Sequence, residues 1–257
     1  MAAMYAGVVL LGLGYISLPR LGSKPLVWSD WQAPDPNAIP SGPAGDRIRY
    51  GIHLFNQTPW YAAKYVGDKL RCSDCHVAGG IAPYGIPLVG MTKIYPPYNK
   101  RAGRVISLQE RIQQCFVRSE NGRPLPEGGP EMDALVAYLQ WLSQPEPAHR
   151  PFQGRGLIEL PPLRPDAGRG AQIYAAQCAG CHGADGAGSL PLMPPLWGPD
   201  SFNDGAGMNQ VAKMARFVQY NMPQNRRGSL SAQDAYDVAA FLHTMPRPKF
   251  NPAYKKY

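Results

Sequence analysis

CSDCH at residues 72–76 and CAGCH at residues 178–182 are two copies of the pattern C-x-x-C-H. The pattern predicts covalent attachment of a c-type haem, because two thiols at this spacing can add to the two vinyl groups of one haem. The histidine that follows then lies beneath the iron as its proximal ligand. Structural disulfides would leave both histidines unexplained, and the cysteine pairs of a zinc site lie about 12–20 residues apart. The sequence therefore predicts two haem c groups, bound by Cys72, Cys75 and His76 and by Cys178, Cys181 and His182.

The two motifs mark an internal repeat of 106 residues. Each copy has an amphipathic segment before its motif and an apolar-periodic helix at its end. These segments are residues 49–67 and 131–143 in the first copy, and residues 169–177 and 232–245 in the second. In small c-type cytochromes the first and last helices cross beside the haem, and Tyr138, Trp141 and Phe241 suit such an aromatic crossing. The repeat predicts a mainly α-helical chain of two tandem cytochrome c-type domains, each around one covalently attached haem.

Proline-rich sequence without steady periodicity separates the two copies at residues 144–166 and reads as a surface linker. The boundaries that we expect follow from this linker and from the motifs. A signal peptide or membrane anchor takes residues 1–22, an extended leader 23–44, an N-terminal cytochrome c domain 45–148, the linker 149–165 and a C-terminal cytochrome c domain 166–250.

The first residues of the chain predict export. Residues 2–18 carry no charge and are followed by Arg20 and Lys24, a run near the lower limit for a membrane span. They lack a basic n-region and a clear A-x-A cleavage site, so a cleaved signal and an uncleaved anchor both remain open. Either reading predicts a periplasmic protein, soluble after cleavage or tethered to the inner membrane.

Composition narrows the functional classes. A hydrophobic content of 44% and a charged content of 17% are typical of globular proteins, and a mean hydropathy of −0.30 excludes a polytopic membrane protein. The formal net charge of +8 is not gathered in a Lys/Arg-rich block, so we expect no nucleic-acid binding. The excess of positive charge instead favours a small dianionic substrate or an acidic redox partner.

The second haem needs a distal ligand, which in cytochromes c is most often a methionine. Met222 lies 40 residues after His182 and precedes a proline at the end of a predicted helix. We therefore predict Met222 as the ligand, and interpret the competing Met193, Met208 and Met214 as packing residues.

The same spacing in the first copy leads to the fifth cysteine. Cys115 lies 39 residues after His76, whereas Met91 and Met132 lie 15 and 56 residues after it. Without the repeat, Cys115 would read as a small buried residue beside Ile112 and Phe116. The spacing and the odd cysteine count instead predict that Cys115 ligates the first iron, where a thiolate stabilises the oxidised state.

The helix that carries Cys115 has its own signals. Ser107 and Glu110 form a capping box that predicts a helix start near residue 108, and Asn121-Gly122 supplies a stop. Arg111, Cys115 and Ser119 are spaced four residues apart and share one face. A guanidinium and a hydroxyl on that stripe favour a thiolate and hold an anion nearby.

From Tyr50 to Pro248 the chain resembles the dihaem, tetrathionate-forming thiosulfate dehydrogenases, which are relatives of the cytochrome A subunit of the sulfur-oxidising multienzyme system. The similar segments are YGIHLFNQT (50–58), YPPYNKRAGRVISLQERIQQCFVRSENGRPLP (95–126), LPLMPPLWGPDSFNDGAGM (190–208), ARFVQYNMP (215–223) and DVAAFLHTMPRP (237–248). The segment around Cys115 is the most specific, because a cysteine followed by RSxNG is tied to this family's active site.

The resemblance implies catalysis at the first haem, electron exit through the second, and Cys115 as the first haem's axial ligand. It also implies that the family's substrate-site arginines correspond to Arg101 and Arg111 of this chain, and that the family's nearby serine corresponds to Ser119. Two positions depart from the family pattern. Arg123 replaces a lysine often found after NG, and Asn221 stands where some members have a lysine beside the methionine of the second haem, so His182/Met222 ligation without a ligand exchange is expected.

The function predicted on this basis is the oxidation of two thiosulfate anions to tetrathionate, with electrons passed to an acceptor c-type cytochrome or another periplasmic carrier. Arg101 and Arg111 neutralise the sulfonates, and Cys115 leaves the iron to act as nucleophile. The alternatives are a non-enzymatic dihaem electron carrier, a cytochrome subunit that oxidises carrier-bound sulfur and, least favoured, a dihaem peroxidase. His53, His149 and His243 are left without a role.

Overall fold

A computed structural model of the chain describes residues 33–144, 152–189 and 192–257. Outside these ranges lie the predicted signal or anchor, residues 23–32 of the predicted leader, residues 145–148 of the predicted N-terminal domain, residues 149–151 of the linker and residues 190–191. Among the described residues no helix is both long and apolar enough to cross a membrane.

Short and long helices dominate the first half of the chain. After a 3-10 turn at Pro36–Ala38 come α1 (Pro43–Asn56), α2 (Thr58–Tyr61), α3 (Cys72–Cys75), α4 (Val77–Gly80), α5 (Met91–Ile94), the two-residue strands β1 (Tyr98–Asn99) and β2 (Arg104–Val105), α6 (Leu108–Arg118) and α7 (Pro130–Ser143). The strands form one antiparallel hairpin, with Tyr98 opposite Val105.

The second half repeats the long helices. It contains α8 (Ala167–Gln177), α9 (Ala179–His182), α10 (Val211–Asn221) and α11 (Ala232–Thr244), with 3-10 turns at Gly207–Asn209, Gln224–Arg226 and Pro252–Tyr254. The prediction of a mainly α-helical fold is confirmed. The amphipathic segment predicted at 49–67 is displaced, because Pro43 at the first helical positions starts α1 earlier and Thr58-Pro59 begins a separate turn.

Each half is built on one helix crossing, α1 on α7 and α8 on α11. A glycine stands at each crossing: a Cβ on Gly51 would lie 2.2 Å from the carbonyl oxygen of Ala134, and one on Gly170 would lie 2.0 Å from that of Asp237. The helices therefore touch backbone to backbone. Aromatic rings surround the contacts as predicted, with Tyr138 5.3 Å from Phe55 and Phe241 5.3 Å from Tyr174, between centroids.

We expect Gly170→Ala to lower the free energy of unfolding by about 3 kcal/mol, because the methyl group has no room beside a fixed carbonyl and α8 must move off α11. Ala176→Ser is the control, since Ala176 is exposed on the same helix, and we expect a change within about 0.5 kcal/mol. Thermal unfolding of the haem-loaded variants, followed by circular dichroism, measures both. Equal stability of the two variants would show that the crossing tolerates a side chain.

The two halves share buried contacts. Leu70, Val77 and Ala82 from the first half belong to the core of the second. Asn203 is 1% exposed; its backbone amide donates to the carbonyl oxygen of Arg118, and its side-chain amide donates to that of Val117. The loop before α10 is therefore fixed to the C-terminal end of α6.

The described part of the predicted linker, from Phe152 onward, has no regular structure up to α8. Its backbone pairs with the loop after α4, since Tyr84 N donates to Gly154 O at 2.6 Å and Ile86 N donates to Gly156 O at 3.2 Å. The linker therefore lies against the first half. The domain boundaries remain predictions.

Candidate functional site

A cavity of about 400 Å³ lies between α3, α6, α7 and the loop from residue 86 to residue 95. Both cysteines of the first C-x-x-C-H motif line it, together with His76 and Cys115. Most of the remaining lining is apolar and includes Phe55, Ile86, Leu88, Leu108, Ile112, Phe116, Leu135 and Leu139.

The orientation of His76 is fixed by a backbone carbonyl. Its Nδ1 lies 2.7 Å from the carbonyl oxygen of Ile86, and because a carbonyl only accepts, Nδ1 is the donor. The lone pair is therefore on Nε2, the atom required for an iron ligand. Sequence spacing does not reveal this partner, because Ile86 is brought back to the histidine by the turns after α4.

Cys115 is the sulfur that faces this histidine. The His76 ring lies within hydrogen-bonding reach of the Cys115 thiol, so the two side chains meet across the cavity. Arg111 lies one turn before Cys115 on α6, and its Nη1 donates to Cys115 Sγ at 3.0 Å. The predicted stripe of Arg111, Cys115 and Ser119 lines one wall of the cavity.

The start of α6 follows the predicted capping box. Ser107 Oγ accepts from Glu110 N at 3.1 Å, and Glu110 Oε2 accepts from Ser107 N at 2.9 Å, so the prediction is confirmed. The helix ends at Arg118, earlier than the Asn-Gly pair, and Asn121 has a left-handed φ of 44°. The side-chain amide of Gln113 donates to the carbonyl oxygen of Leu125 and accepts from its backbone amide, each at 2.7 Å, so the segment after α6 is held against the helix.

Charge makes Cys115 acidic. Burial raises the pKa of a thiol, but the charge of Arg111, the His76 ring beside the sulfur and the hydrogen bond from Arg111 outweigh it, and the pKa of Cys115 is lowered to about 6. The same pair raises the pKa of Arg111. This setting favours the thiolate form of Cys115, which is both a ligand for ferric iron and a nucleophile.

Arg101 approaches from the hairpin. It follows β1 on the turn that Asn99 Oδ1 holds by accepting from the backbone amides of residues 101 and 102, each at 3.0 Å. Its side chain is exposed at the turn, yet partial desolvation and the charge of Arg111 lower its pKa. The two guanidiniums are therefore close enough to repel each other, but Arg101, unlike Arg111, is not among the residues that line the cavity. A role for Arg101 in binding the anion remains a prediction.

Arg123 lies outside the cavity. Its Nε donates to the carbonyl oxygen of Lys64, and its guanidinium lies 5.6 Å from the ring centroid of Tyr65. It lines a separate cavity of about 250 Å³, beside Asn203 and Tyr254. Among the predicted charged residues near Cys115, it is the one that the fold directs elsewhere.

The second motif shows the same histidine geometry. His182 is 8% exposed, and its Nδ1 donates to the carbonyl oxygen of Pro194 at 3.0 Å. Met222 follows α10 and packs on the same core as Cys178 and Trp197. Met208 and Met214 are buried in that core, in keeping with a packing role. Ligation by Met222 remains a prediction.

Asn221 is engaged in hydrogen bonds. It is fully buried, and its side-chain amide donates to the carbonyl oxygens of Tyr84 at 3.0 Å and Phe217 at 3.1 Å. Its side-chain oxygen accepts from Arg227 Nη2 at 2.6 Å. Asn221 thus ties the second half to the loop after α4.

Two of the histidines without a predicted role contact an aromatic ring or a backbone carbonyl. His53 stacks on Tyr61 with ring centroids 5.0 Å apart, and His243 Nδ1 donates to the carbonyl oxygen of Asn209 at 2.8 Å. His149 lies outside the described residues.

Sequence reasoning missed several residues around the cavity. Arg155 of the linker lines it and donates to the carbonyl oxygen of Val89 at 2.7 Å. Tyr95 lines it too, and burial raises the pKa of its hydroxyl. Glu120 is buried beside it with a raised pKa, because burial and the nearby Asp68 both disfavour its charge. Arg155 belongs to no local motif. Tyr95 and Glu120 lie within the segment around Cys115, but no periodicity or motif position shows that their side chains reach the cavity.

The residues around the cavity fit a haem c. Both thiols of the motif line the cavity, a histidine presents Nε2, the Cys115 sulfur faces it, and most of the wall is apolar, as a flat macrocycle requires. The donor set therefore supports covalent haem at this site.

Comparison with known protein families identifies both halves as cytochrome c domains. Residues 58–148 match the SoxA/TsdA cytochrome c domain, and residues 165–242 match the family described as cytochrome C oxidase, cbb3-type, subunit III. The chain therefore contains two cytochrome c domains, which implies covalently bound haem c.

Full-length relatives extend this similarity. The chain is 42% identical over 222 residues to the thiosulfate dehydrogenase of Allochromatium vinosum, covering 82% of each protein. It is 40% identical over 227 residues to that of Stutzerimonas stutzeri, covering 86% of this chain and 74% of the relative. The solved thiosulfate dehydrogenase TsdBA from Marichromatium purpuratum, in its "as isolated" form, superposes with a TM-score of 0.78 at 37% identity. The match covers 83% of this chain and 48% of the solved chain, so this chain spans about half of it.

Proposed function

The chain belongs to the thiosulfate dehydrogenase family, and from this premise we propose that it couples two thiosulfate anions to tetrathionate beside the first of two haems. The observation that supports this site most directly is the 3.0 Å bond from Arg111 to Cys115, opposite His76. A protein that only carried electrons would gain nothing from a thiolate held by an arginine inside its haem cavity.

The reaction can be written on residues of this chain. The Cys115 thiolate attacks the outer sulfur of one thiosulfate, forming a cysteine–sulfur bond and releasing two electrons. The outer sulfur of a second thiosulfate then attacks that sulfur, which forms the central bond of tetrathionate and returns Cys115 as a thiolate. Neither step takes up or releases a proton. The two haems, when attached, each accept one electron.

Arg101 and Arg111 make the first step feasible by neutralising the sulfonate. Bringing a dianion to a thiolate in a poorly solvated cavity costs free energy that two guanidiniums offset. Ser119 lines the same wall and can donate a hydrogen bond to a sulfonate oxygen. In this proposal His76 and Cys115 would hold the iron of the first haem when no thiosulfate is bound.

In this proposal, electrons leave the protein through the second haem. His182 and Met222 would hold its iron, and a thioether ligand favours a higher potential than a thiolate does. Electrons would therefore flow from the first haem to the second, and on to an acceptor c-type cytochrome or another periplasmic carrier. Export to the periplasm, with the N-terminal segment cleaved or kept as an inner-membrane anchor, completes the proposal.

We expect purified holoprotein to consume two thiosulfate for each tetrathionate formed and to reduce two equivalents of a one-electron acceptor. Its mass should exceed that of the polypeptide by two haems. Anaerobic assays with ferricyanide, with tetrathionate determined by chromatography, measure the stoichiometry. Sulfite or sulfate as the product would contradict the proposal. Turnover only in the presence of a protein-bound sulfur carrier would favour the carrier-dependent alternative.

A further inference from the structure

Arg155 reaches the cavity of the first C-x-x-C-H motif from the linker that joins the two halves of the chain. Its Nη1 donates to the carbonyl oxygen of Val89 at 2.7 Å and lies 3.7 Å from the sulfur of Met91. Both Arg155 and Met91 line the cavity. The linker therefore contributes a cation to the wall that the loop from residue 86 to residue 95 forms.

The backbone on either side directs this side chain. The carbonyl oxygen of Gly154 accepts from Tyr84 N at 2.6 Å, and that of Gly156 accepts from Ile86 N at 3.2 Å, so these alternate residues of the linker face the loop after α4. Both glycines have a left-handed φ, 83° and 78°, and a Cβ on Gly154 would lie 2.5 Å from the Cβ of Pro83. The close pairing that places the arginine between them therefore requires glycine.

The same loop also holds the histidine of the motif. Ile86 donates its amide to the linker, and its carbonyl oxygen lies 2.7 Å from Nδ1 of His76. Arg155 and His76 are therefore both held by one short stretch of backbone. A change in the linker at this point acts directly on the surroundings of the first haem.

Few cations line this cavity. Among the described residues of its wall the cations are Arg111 and Arg155, and Arg111 is bonded to Cys115. Haem c carries its propionate carboxylates on the half of the ring opposite the vinyl groups, which Cys72 and Cys75 bind. A carboxylate in largely apolar surroundings is costly unless a cation pairs with it.

We propose that Arg155 binds a propionate of the first haem, so that the linker is part of that haem's site. A guanidinium is a planar fork that matches a carboxylate with two parallel hydrogen bonds. Its positive charge also stabilises the added electron of ferrous iron, which raises the reduction potential of the first haem. The inference requires a haem at the first motif and is independent of the substrate.

Redox titration of the holoprotein without thiosulfate tests the proposal. In Arg155→Gln, the equilibrium constant for one-electron reduction of the first haem should fall about 10-fold, or about 59 mV, the effect of losing one charge-assisted hydrogen bond. The potential of the second haem should stay unchanged. Following the titration by EPR separates the two haems, and mass spectrometry shows that both are attached.

Two variants serve as controls. Arg164→Gln removes an equal charge from the same linker, but Arg164 is exposed and is not among the residues that line the cavity, so both potentials should equal those of the wild type. Arg155→Lys keeps the charge without the planar fork. Its equilibrium constant for reduction of the first haem should stay within about 3-fold of the wild type, while the propionate-bending bands in the resonance Raman spectrum should shift.

Several results would overturn the proposal. They are an unchanged potential of the first haem in Arg155→Gln, an equal fall in Arg164→Gln, and unshifted propionate bands in Arg155→Lys, which decides the point if the glutamine variant does not fold. A raised KM for thiosulfate with an unchanged potential would place a sulfonate on Arg155 and overturn it as well. Failure of the wild-type protein to form tetrathionate would instead reject the proposed function and leave this test unaffected.

Discussion

We expect Cys115→Ser to lower kcat/KM for tetrathionate formation by at least about 10⁴-fold, because loss of the nucleophile in a hydrolase costs about 10⁶-fold, while both haems stay attached. The expected result follows from the geometry: Cys115 is the one cysteine outside the haem-binding motifs, it faces His76, and Arg111 stabilises its thiolate. A serine hydroxyl stays protonated near neutral pH, so it neither attacks sulfur nor donates strongly to iron.

The assay uses saturating acceptor and follows tetrathionate directly. Haem content by mass spectrometry and thermal unfolding of the same preparation are the controls, because the four other cysteines all belong to the motifs that anchor haem. Turnover of the serine variant within a few-fold of the wild type would remove Cys115 from the mechanism.

Arg111→Gln is expected to lower kcat/KM by about 100-fold, comparable to removing one preorganised donor from an oxyanion hole. The variant loses the 3.0 Å bond to Cys115 and the charge that lowers the pKa of the thiol. It also loses a guanidinium for the sulfonate. Arg111→Lys should recover part of the activity, because lysine keeps the charge but not the planar fork.

The matched control for Arg111 is Arg104→Gln. Arg104 is exposed at the end of the hairpin and pairs with Glu110 at 2.6 Å, so the substitution removes an equal charge close to the site without touching the cavity. Its activity should stay within about 2-fold of the wild type, since exposed ion pairs contribute little. Similar losses in both variants would mean that overall charge matters, and not the bond to Cys115.

Short-range sequence signals predict much of the fold. The two C-x-x-C-H motifs place the haem-binding turns, and the Ser107–Glu110 box fixes the start of α6 within one residue. Both depend on neighbours along the chain, as does the shared face of Arg111 and Cys115, which the helical repeat dictates. Both ends of α1 differ from the predicted segment 49–67. The helix starts earlier, at Pro43, and the turn at Thr58-Pro59 ends it within the amphipathic pattern.

The rest of the site depends on tertiary structure, which periodicity does not encode. Nothing in the sequence pairs His76 with the carbonyl of Ile86, or His182 with that of Pro194, although these bonds decide which ring nitrogen keeps its lone pair. Two contacts bring α10 to the first domain, and no local pattern predicts either of them. Asn203 bonds to the end of α6, and Asn221 donates to the carbonyl oxygen of Tyr84.

The most direct test of the account is the low-temperature EPR spectrum of the oxidised holoprotein, compared with that of Cys115→Ser. The wild-type protein should show two low-spin ferric signals, one from a histidine/thiolate haem and one from a histidine/methionine haem. The serine variant should lose the first signal and keep the second unchanged. Retention of both wild-type signals in the variant would show that Cys115 does not ligate the first haem, which contradicts the account.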